Sequence, residues 1–547
     1  MKTTIQGDTN RKFESGSGIP LKEMYTKEDL KDFDYDRDLG EAGEYPYTRG
    51  LYKGMYRNKI WTRRFLSGFG SAKDSMERLK YLASIGSEGV EVVNDYPTQV
   101  GIDADHPMAV DEAGLVGIPV SSLDDVETIL EGFPLDKTTI TFESSGASGP
   151  VLPCMYFAMA QKHGVPFSAL NGGAALNLYC QYYSGFVTPQ PLDLWSKLAV
   201  DVVEFCSKNK LRFATFHTSA HNVSEEGTPA VMEIALGFAS TIAFADKLVE
   251  RGLNFDEFAN RVPFTFTIWM DFFEEIAKFR ASRRIWARIA RERYGSKNPR
   301  AQKLYIAARV SGLTAIAQQP LNNVARIAYQ LMSAALGGCN AIDPVMYDEP
   351  LCLPTEESTW LAMCTQNILA YETGIPNVVD PLAGSYYVEW LTNEVEKRSW
   401  ELLQKILDKG GLEEGVKDGW IRAMIDEVAI KRQKDIESGA IKLIGINDMV
   451  LPPEKEFKVP IHQVSKASTA EQVQRVRDIK KKRNNNAVKE LLKKLIAEDK
   501  LDNINLVPTM IEACKEYATL GEIWGSLRVG RGLHYDPFEM IESPFKD

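Results

Sequence analysis

The sequence predicts an α/β protein built on a (β/α)8 barrel, and three observations lead to this prediction. Short segments rich in β-branched and aromatic residues alternate with helical stretches between residues 89 and 384. Neither G-x-G-x-x-G nor G-x-x-x-x-G-K-[ST] is present, which disfavours a doubly wound nucleotide-binding sheet. The strand-like segments contain many Ser, Thr, Ala and Gly residues, whereas an ordinary barrel interior is filled with Val, Ile and Leu. This composition predicts an open bore for a slender molecule, although it is also typical of loops at strand ends.

Eight strands are expected, each separated from the next by a helical stretch. The segment 271–295 illustrates these helices, because Ile276, Phe279 and Trp286 recur at close to helical spacing. The predicted strands are residues 89–95, 138–145, 166–173, 212–219, 263–270, 304–312, 337–343 and 377–384.

Two regions outside this alternating pattern complete the predicted organisation. Residues 1–45 are polar and are expected to form an N-terminal arm that lies on the rest of the chain, with a disordered tail as the alternative. Residues 46–405 are assigned to the barrel. Residues 406–547 are assigned to a helical C-terminal region, with a proline-bearing linker and an amphipathic helix pair that is broken at its asparagines. The lysine-rich run in that pair forms either a solvated face or a binding surface.

Composition excludes several classes of function. The chain has 547 residues, 44% of them hydrophobic and 25% charged, and no apolar run approaches the roughly 18 residues of a membrane span. Its net charge of -11 disfavours nucleic acid as a partner. The seven cysteines include no C-x-x-C pair, and the N-terminus has no apolar signal core. We therefore expect a cytoplasmic protein with reduced thiols.

A basic and aromatic segment at residues 47–70 predicts a site for a phosphorylated, ring-bearing ligand. Guanidinium and ammonium groups bind phosphates, and aromatic rings cover a base or a thin organic arm. The alternative is a solvated basic loop. The basic residues are Arg49, Lys53, Arg57, Lys59, Arg63 and Arg64, interspersed with Tyr47, Tyr52, Tyr56 and Trp61.

The segment 212–230 holds the candidate catalytic residues. It begins as a predicted strand and then places His217, His221, Glu225 and Glu226 within ten residues, where the pattern changes to helix. A metal pair is compatible with the spacing of the two histidines, but no H-E-x-x-H motif is present. A histidine that hydrogen-bonds a carbonyl group is the more economical role, and a structural histidine remains an alternative.

Five ordered motifs between residues 45 and 400 resemble the methylmalonyl-CoA mutase family. They are YTRGLYKGMYRNKIWTRRFLSGFG at 47–70, DADHPM at 103–108, AQQPLNNVAR at 317–326, DEPLCLPTE at 348–356 and ETGIPNVVDPLAGSYYVEWLT at 372–392. The resemblance implies a barrel threaded by the pantetheine arm of an acyl-CoA. It also implies adenosylcobalamin-dependent radical chemistry, in which a thioester group migrates between adjacent carbons.

The resemblance also assigns roles to individual residues. His221 resembles the family histidine that hydrogen-bonds the thioester carbonyl, but one extra residue separates it from Glu225, so His217 stays an alternative. Three residues resemble those near the adenosyl group: Glu225, Gln318 and Glu349. Four resemble contacts of CoA: Tyr52, Met55, Lys59 and Arg283.

At three positions this chain has a different residue type from the relatives that act on dicarboxylic or hydroxylated acyl groups. Leu66 replaces a tyrosine, Tyr182 falls where an arginine grips the free carboxylate, and Val93 falls where 2-hydroxyacyl mutases place an aspartate. A carboxylate buried without a partner costs several kcal/mol. We therefore expect a branched, carboxylate-free acyl group, ahead of a 2-hydroxyisobutyryl group. Gly172 and Gly173 are expected to leave space for a bulky acyl chain.

The chain lacks the cobalamin-binding D-x-H-x-x-G motif. Within the resemblance this predicts the large subunit of a two-part enzyme, with a small cobalamin-binding subunit that docks on the C-terminal helices of a heterotetramer. Two rival functions remain. One is a cobalamin-independent acyl-CoA lyase or hydrolase with a metal or nucleophile at the histidines, and the other is an inactive scaffold.

Overall fold

A computed structural model describes residues 13–143, 146–176, 179, 182, 191–214, 218–501 and 504–545. The described strands are short and pair in parallel, which matches the predicted α/β class. They are β1 Thr62–Arg63, β2 Val90–Val93, β3 Thr139–Glu143, β4 Asn171–Ala174, β5 Arg212–Ala214, β6 Thr218–Ser219, β7 Pro263–Ile268, β8 Tyr305–Val310 and β9 Ala341–Asp343.

The strands form two sheets, with the orders β1-β9-β8-β7-β6 and β2-β3-β4-β5. A parallel bridge between Ser67 and Val92 connects the chain after β1 to β2. At the other edge, β5 and β6 flank residues 215–217, which lie outside the described ranges. Because the bridge is parallel, the carboxyl ends of both sheets face the same side of the molecule.

Helices connect the strands, as the alternating sequence pattern predicts. In the strand-bearing part the longer helices are Ala72–Ser84, Leu123–Ile129, Ser148–Lys162, Leu192–Lys208, Ala230–Glu250, Phe272–Arg288, Asn323–Leu336, Glu356–Tyr371 and Tyr386–Asp408. The C-terminal helices are Gly411–Lys417, Trp420–Glu437, Lys466–Lys482, Asn485–Asp499, Val507–Lys515 and Leu520–Gly530. The short ones are Tyr96–Val100, His221–Ser224 and Phe255–Phe258. No helix in these described ranges is long and apolar enough to cross a membrane.

The described part of the N-terminal arm is hydrogen-bonded to the start of helix Phe272–Arg288. The hydroxyl of Ser15 donates to Glu274 over 2.6 Å, and the amide of Gly16 donates to Asp271 over 2.6 Å. These two acids lie at the N-terminal end of the helix, where carboxylates favour its dipole.

The C-terminal helices share the main apolar core, which extends from Ile19 to Leu527. Polar contacts reinforce the packing at the DADHPM turn. Asp103 accepts hydrogen bonds from the Thr519 hydroxyl at 2.6 Å and the Gly521 amide at 2.9 Å, and it lies 2.9 Å from the Lys480 ammonium. The C-terminal region and the strand-bearing part therefore form one continuous core, and the boundary near residue 405 stays a prediction.

One predicted strand is wrong, and one observed strand was not predicted. The segment 377–384 is not a strand, because it follows the 3-10 turn Ile375–Asn377 and contains turns, with Asp380 at a φ of 48°. The strand that was not predicted is β1, whose two residues lie within the basic and aromatic segment 47–70. In addition, the segment 166–173 becomes extended only at Asn171, after the 3-10 turn Phe167–Ala169.

Candidate functional site

A cavity of about 930 Å³ runs between the inner faces of the two sheets. On β3 and β8 alternate residues line it, as the period of two in a strand requires. On β3 these are Thr139, Thr141 and Glu143, and on β8 they are Ala307 and Arg309. The small side chains of the strand segments therefore do leave an open space.

The entrance, at the amino ends of the strands, is rich in cations. It is lined by Lys59, Lys137, Arg212, Arg300 and Lys303, together with Tyr52. The Lys303 ammonium lies 5.6 Å from the Tyr52 ring centroid, a distance suited to a cation–π contact. Sequence reasoning identified only Tyr52 and Lys59. The available signal was that each missed cation either begins a strand or lies a few residues before one.

Deeper in the cavity five ionisable residues form what we call the charged belt: Arg64, Glu91, Glu143, Arg309 and Asp343. Arg64 Nη1 lies 3.0 Å from Glu91 Oε1, and Arg309 Nη2 lies 3.2 Å from Asp343 Oδ2. Burial raises the pKa of Asp343 to about 7, and the nearby charge of Glu91 adds to the rise. Sequence analysis did not anticipate the belt, because its members come from five separate segments.

His221 begins the short helix His221–Ser224 directly after β6, at the carboxyl ends of the strands. Its Nδ1 lies 3.2 Å from the hydroxyl oxygen of Thr267 and 3.6 Å from Glu225 Oε1. His221 follows β6, the sixth described strand, because β1 precedes the predicted strands and the predicted strand 212–219 is described as β5 and β6. The alternative histidine, His217, lies outside the described residues.

Thr267 is held in place by a fully buried ion cluster. Its amide donates to Glu233 Oε1 over 2.6 Å, and its carbonyl accepts from Lys278 Nζ over 2.6 Å. The same ammonium donates to Glu233 Oε2 at 2.7 Å and to Glu275 at 2.6 Å. Buried charges persist only when they are paired and hydrogen-bonded in this way. The cluster therefore fixes the backbone of Thr267 next to His221.

Two carboxyl groups on the same side of the molecule have strongly raised pKa values. Burial raises the pKa of Glu225 to about 7, opposed by the hydroxyl of Ser311. Glu349 is exposed to solvent but surrounded by protein on most sides, and this environment raises its pKa to about 7, with the charge of Asp348 as a further cause. Gln318 is exposed in the loop after β8. Titratable groups with shifted pKa values at strand ends are typical of an active site.

The three predicted specificity positions differ in their surroundings. Val93 ends β2 in register with Glu143, so both side chains point to the same face of the sheet. Leu66 is half-buried after β1, and Tyr182 is half-buried against the main core. Gly172 has a φ of 153°, and an added Cβ would lie 1.8 Å from the Ile140 carbonyl oxygen. The close pairing of β4 with β3 therefore requires a glycine at position 172.

Met55 and Arg283 do not line the large cavity. They line a separate cavity of about 20 Å³. The guanidinium of Arg283 is buried and donates to the carbonyl oxygens of Tyr47 at 2.9 Å, Thr48 at 2.8 Å and Gly337 at 2.9 Å. Burial lowers its pKa to about 10. Arg283 therefore ties two backbone segments together.

The fold and the site define an α/β enzyme with parallel sheets, in which a deep cavity leads from basic residues to the charged belt. In the described ranges no three His, Cys, Asp or Glu side chains are arranged to hold a metal ion. The profile of the methylmalonyl-CoA mutase family matches residues 14–532. The chain belongs to the methylmalonyl-CoA mutase family, and the resemblance noted in the sequence is confirmed.

Individual relatives are similar over almost the whole chain. The 2-hydroxyisobutanoyl-CoA mutase large subunit of Aquincola tertiaricarbonis is 34% identical over 528 residues, which cover 95% of this chain and 93% of that protein. The methylmalonyl-CoA mutase of Cereibacter sphaeroides is 33% identical over 94% of this chain and 72% of its own. The mitochondrial methylmalonyl-CoA mutase of Homo sapiens is 30% identical, with coverage of 97% and 70%.

Proposed function

We propose that this chain is the acyl-CoA-binding subunit of an adenosylcobalamin-dependent acyl-CoA mutase, an isomerase that moves a thioester group between adjacent carbons. Membership of the family supports the reaction class. The observation that carries the proposal is the cavity of about 930 Å³, which joins a cationic entrance to the region of the charged belt.

The two sheets are proposed to be arcs of one closed (β/α)8 barrel. The bridge between Ser67 and Val92 supports closure at one junction. At the other junction, β5 and β6 are interpreted as the two halves of a single strand. The chain then has eight strands, and the cavity becomes the bore of the barrel.

The entrance cations, among them Lys59 and Lys303, bind the phosphates of CoA beside Tyr52. The pantetheine arm passes the small residues Gly173 and Ala307. His221 then donates a hydrogen bond to the thioester carbonyl, a role in which a positioned donor stabilises developing charge on oxygen.

Glu225, Gln318 and Glu349 are proposed to face the adenosyl group. Glu349 fits a ribose hydroxyl, because it is an exposed residue after β9 and its carboxyl oxygens can accept hydrogen bonds. When bound, adenosylcobalamin supplies the radical chemistry, while this chain orients the acyl group and excludes water from it.

The cobalamin domain is proposed to belong to a separate small subunit of a hetero-oligomer. One relative is itself named a large subunit, and this chain matches 93% of it. Large apolar side chains are exposed in the loops after β7, β8 and β9, and exposed apolar patches often mark protein interfaces. We propose that the small subunit docks on these loops and covers the adenosyl site. The exposed side chains are Met270, Leu313, Leu321 and Leu351.

The lysine-rich C-terminal helices were the docking surface expected from the sequence. In the structure Lys480 lies 2.7 Å from Asp105, and Arg475 forms an ion pair with Asp124. These cations serve contacts within the chain. We therefore propose that the partner docks mainly on the strand-end loops.

The acyl group is proposed to lack a free carboxylate, since Leu66, Val93 and Tyr182 offer it no cation.

The test of the proposed function mixes the purified chain with a cobalamin-binding small subunit and adenosylcobalamin, and follows a panel of acyl-CoAs by mass spectrometry. Rearrangement that requires cobalamin supports the proposal. Turnover without cobalamin identifies a lyase or hydrolase, and tight CoA binding with no turnover identifies a scaffold.

A further inference from the structure

The charged belt contains buried polar atoms that lack a partner. In the described part of the chain, Nε of Arg64, Nε of Arg309, Oε2 of Glu91 and Oδ1 of Asp343 have no hydrogen-bond partner. Buried polar atoms are almost always satisfied, and each exception requires an explanation. Here two donors and two acceptors remain on side chains that line the same cavity.

Arg309 of the belt lies at the depth of His221 rather than at the entrance. Arg309 is in register with Thr267, whose hydroxyl oxygen is 3.2 Å from the His221 ring. Lys303, at the entrance, precedes Arg309 by six residues, which is about 20 Å along a strand. The part of an acyl-CoA that reaches the belt is therefore the acyl end, and the phosphates stay at the entrance.

The charges of the belt restrict the chemistry of that acyl end. Each guanidinium already faces a carboxylate, Arg64 with Glu91 and Arg309 with Asp343. Glu143 adds a third carboxyl group. A carboxylate on the acyl chain would bring one more negative charge, and a pure hydrocarbon would displace water from the ion pairs without offering them a polar partner. A hydroxyl group adds no charge, and it can donate to a carboxylate and accept from a guanidinium.

We propose that the charged belt, with Arg309 and Asp343 at its centre, binds an uncharged hydroxyl substituent on the acyl chain of the substrate. This inference rests on the proposed acyl-CoA function and names its substrate class. It revises the expectation, drawn from Val93, that a hydrocarbon acyl group is favoured over a hydroxylated one. Glu143, on the neighbouring strand and in register with Val93, presents a carboxyl group to the same face.

The test measures binding to the purified full chain by calorimetry, without cobalamin or turnover, so that it is independent of catalysis. The probes are butyryl-CoA, 3-hydroxybutyryl-CoA, succinyl-CoA, 2-hydroxyisobutyryl-CoA, isobutyryl-CoA and free CoA. We expect at least one hydroxyacyl-CoA to bind about tenfold or more tightly than its hydrocarbon counterpart, the range of a hydrogen bond to a charged group.

Two variants assign that preference to the belt. The double variant Arg309→Gln/Asp343→Asn removes both charges of one pair at once, which avoids leaving a lone buried ion, and Glu143→Gln changes a single carboxyl group. We expect both to reduce the hydroxyacyl preference several-fold while leaving free CoA binding unchanged. Lys303→Ala is the matched control at the entrance, and it weakens every probe equally.

Three results would overturn the inference. Equal affinity for hydroxyacyl and hydrocarbon probes would show that the belt does not recognise a hydroxyl group. Tightest binding of succinyl-CoA would show that the guanidinium groups recognise a carboxylate instead. If the belt variants weaken free CoA as much as the hydroxyacyl probes, the belt contacts the pantetheine arm. Failure of every probe to bind would remove the acyl-CoA function itself.

Discussion

The two ends of the cavity use charge in opposite ways. At the entrance the cations reach into solvent, and the side chain of Lys59 is 75% exposed. In the belt the side chains of Arg309 and Asp343 are only 13% and 5% exposed, and they are paired with each other. Exposed cations attract a phosphorylated ligand from a distance but are screened by salt, whereas buried pairs act only over short distances and are screened little. The entrance therefore supplies affinity, and the inner end supplies specificity and chemistry.

The largest expected effect tests the chemical end. We expect His221→Ala to lower the turnover number of the reconstituted enzyme by about 100-fold or more, with little change in acyl-CoA affinity, because the hydrogen bond acts on the reacting carbonyl. Steady-state kinetics and a binding titration measure the two quantities. His217→Ala is the matched comparison, and a larger loss in that variant would assign the thioester role to His217.

Arg283 lies at neither end of the large cavity. We expect Arg283→Met to lower the free energy of unfolding by about 3 kcal/mol or more, because three buried carbonyl oxygens lose a charged donor. Urea denaturation measures this loss. Arg288→Met is the control, since that side chain is 42% exposed and its surface ion pair is worth less than about 1 kcal/mol. A loss of CoA affinity with unchanged stability would instead support the predicted contact between Arg283 and CoA.

The entrance is tested by the double variant Lys59→Ala/Lys303→Ala. We expect its affinity for free CoA to fall about tenfold at low salt, and the difference from the unaltered chain to shrink as salt is added. Calorimetric titrations at several ionic strengths measure both effects. Lys53→Ala removes an exposed cation of the same basic segment that does not line the cavity, and its affinity is expected to stay unchanged. A loss that is independent of salt would contradict screening at the entrance.

The smallest expected effect is a pH dependence at the inner end. The pKa of Glu225 is about 7 in the folded chain and its ordinary value is 4.5, so the folded state favours the protonated form. Protonation of Glu225 therefore stabilises the folded chain. This contribution to the free energy of unfolding is complete below pH 4.5 and is lost as the pH rises through 7. Between pH 6 and 8 we expect the melting temperature of the unaltered chain to fall by about one degree more than that of Glu225→Gln. Parallel melting curves would show that Glu225 is ionised throughout this range.

Strand prediction succeeded where the residues themselves favour extended structure. The β-branched and aromatic runs at β3, β7 and β8 identify strands directly, because such side chains pack well on a pleated surface. The prediction failed at residues 377–384, where two valines precede a turn, and at β1, where two polar residues pair with β9. Whether such a short segment forms a strand depends on its pairing with a strand that is distant in the sequence. The local sequence pattern does not indicate that pairing.

The sequence by itself determined the parallel α/β class, the family and the placement of His221 at the end of a strand, because these depend on local periodicity and on ordered motifs. The tertiary structure alone decided which ionisable groups meet. It brought Arg64, Glu91, Glu143, Arg309 and Asp343 to the lining of one cavity, and it placed Arg283 outside that cavity. The physical reason is that strand register and burial set both the neighbours and the pKa of each group, and both depend on contacts between residues far apart in the chain.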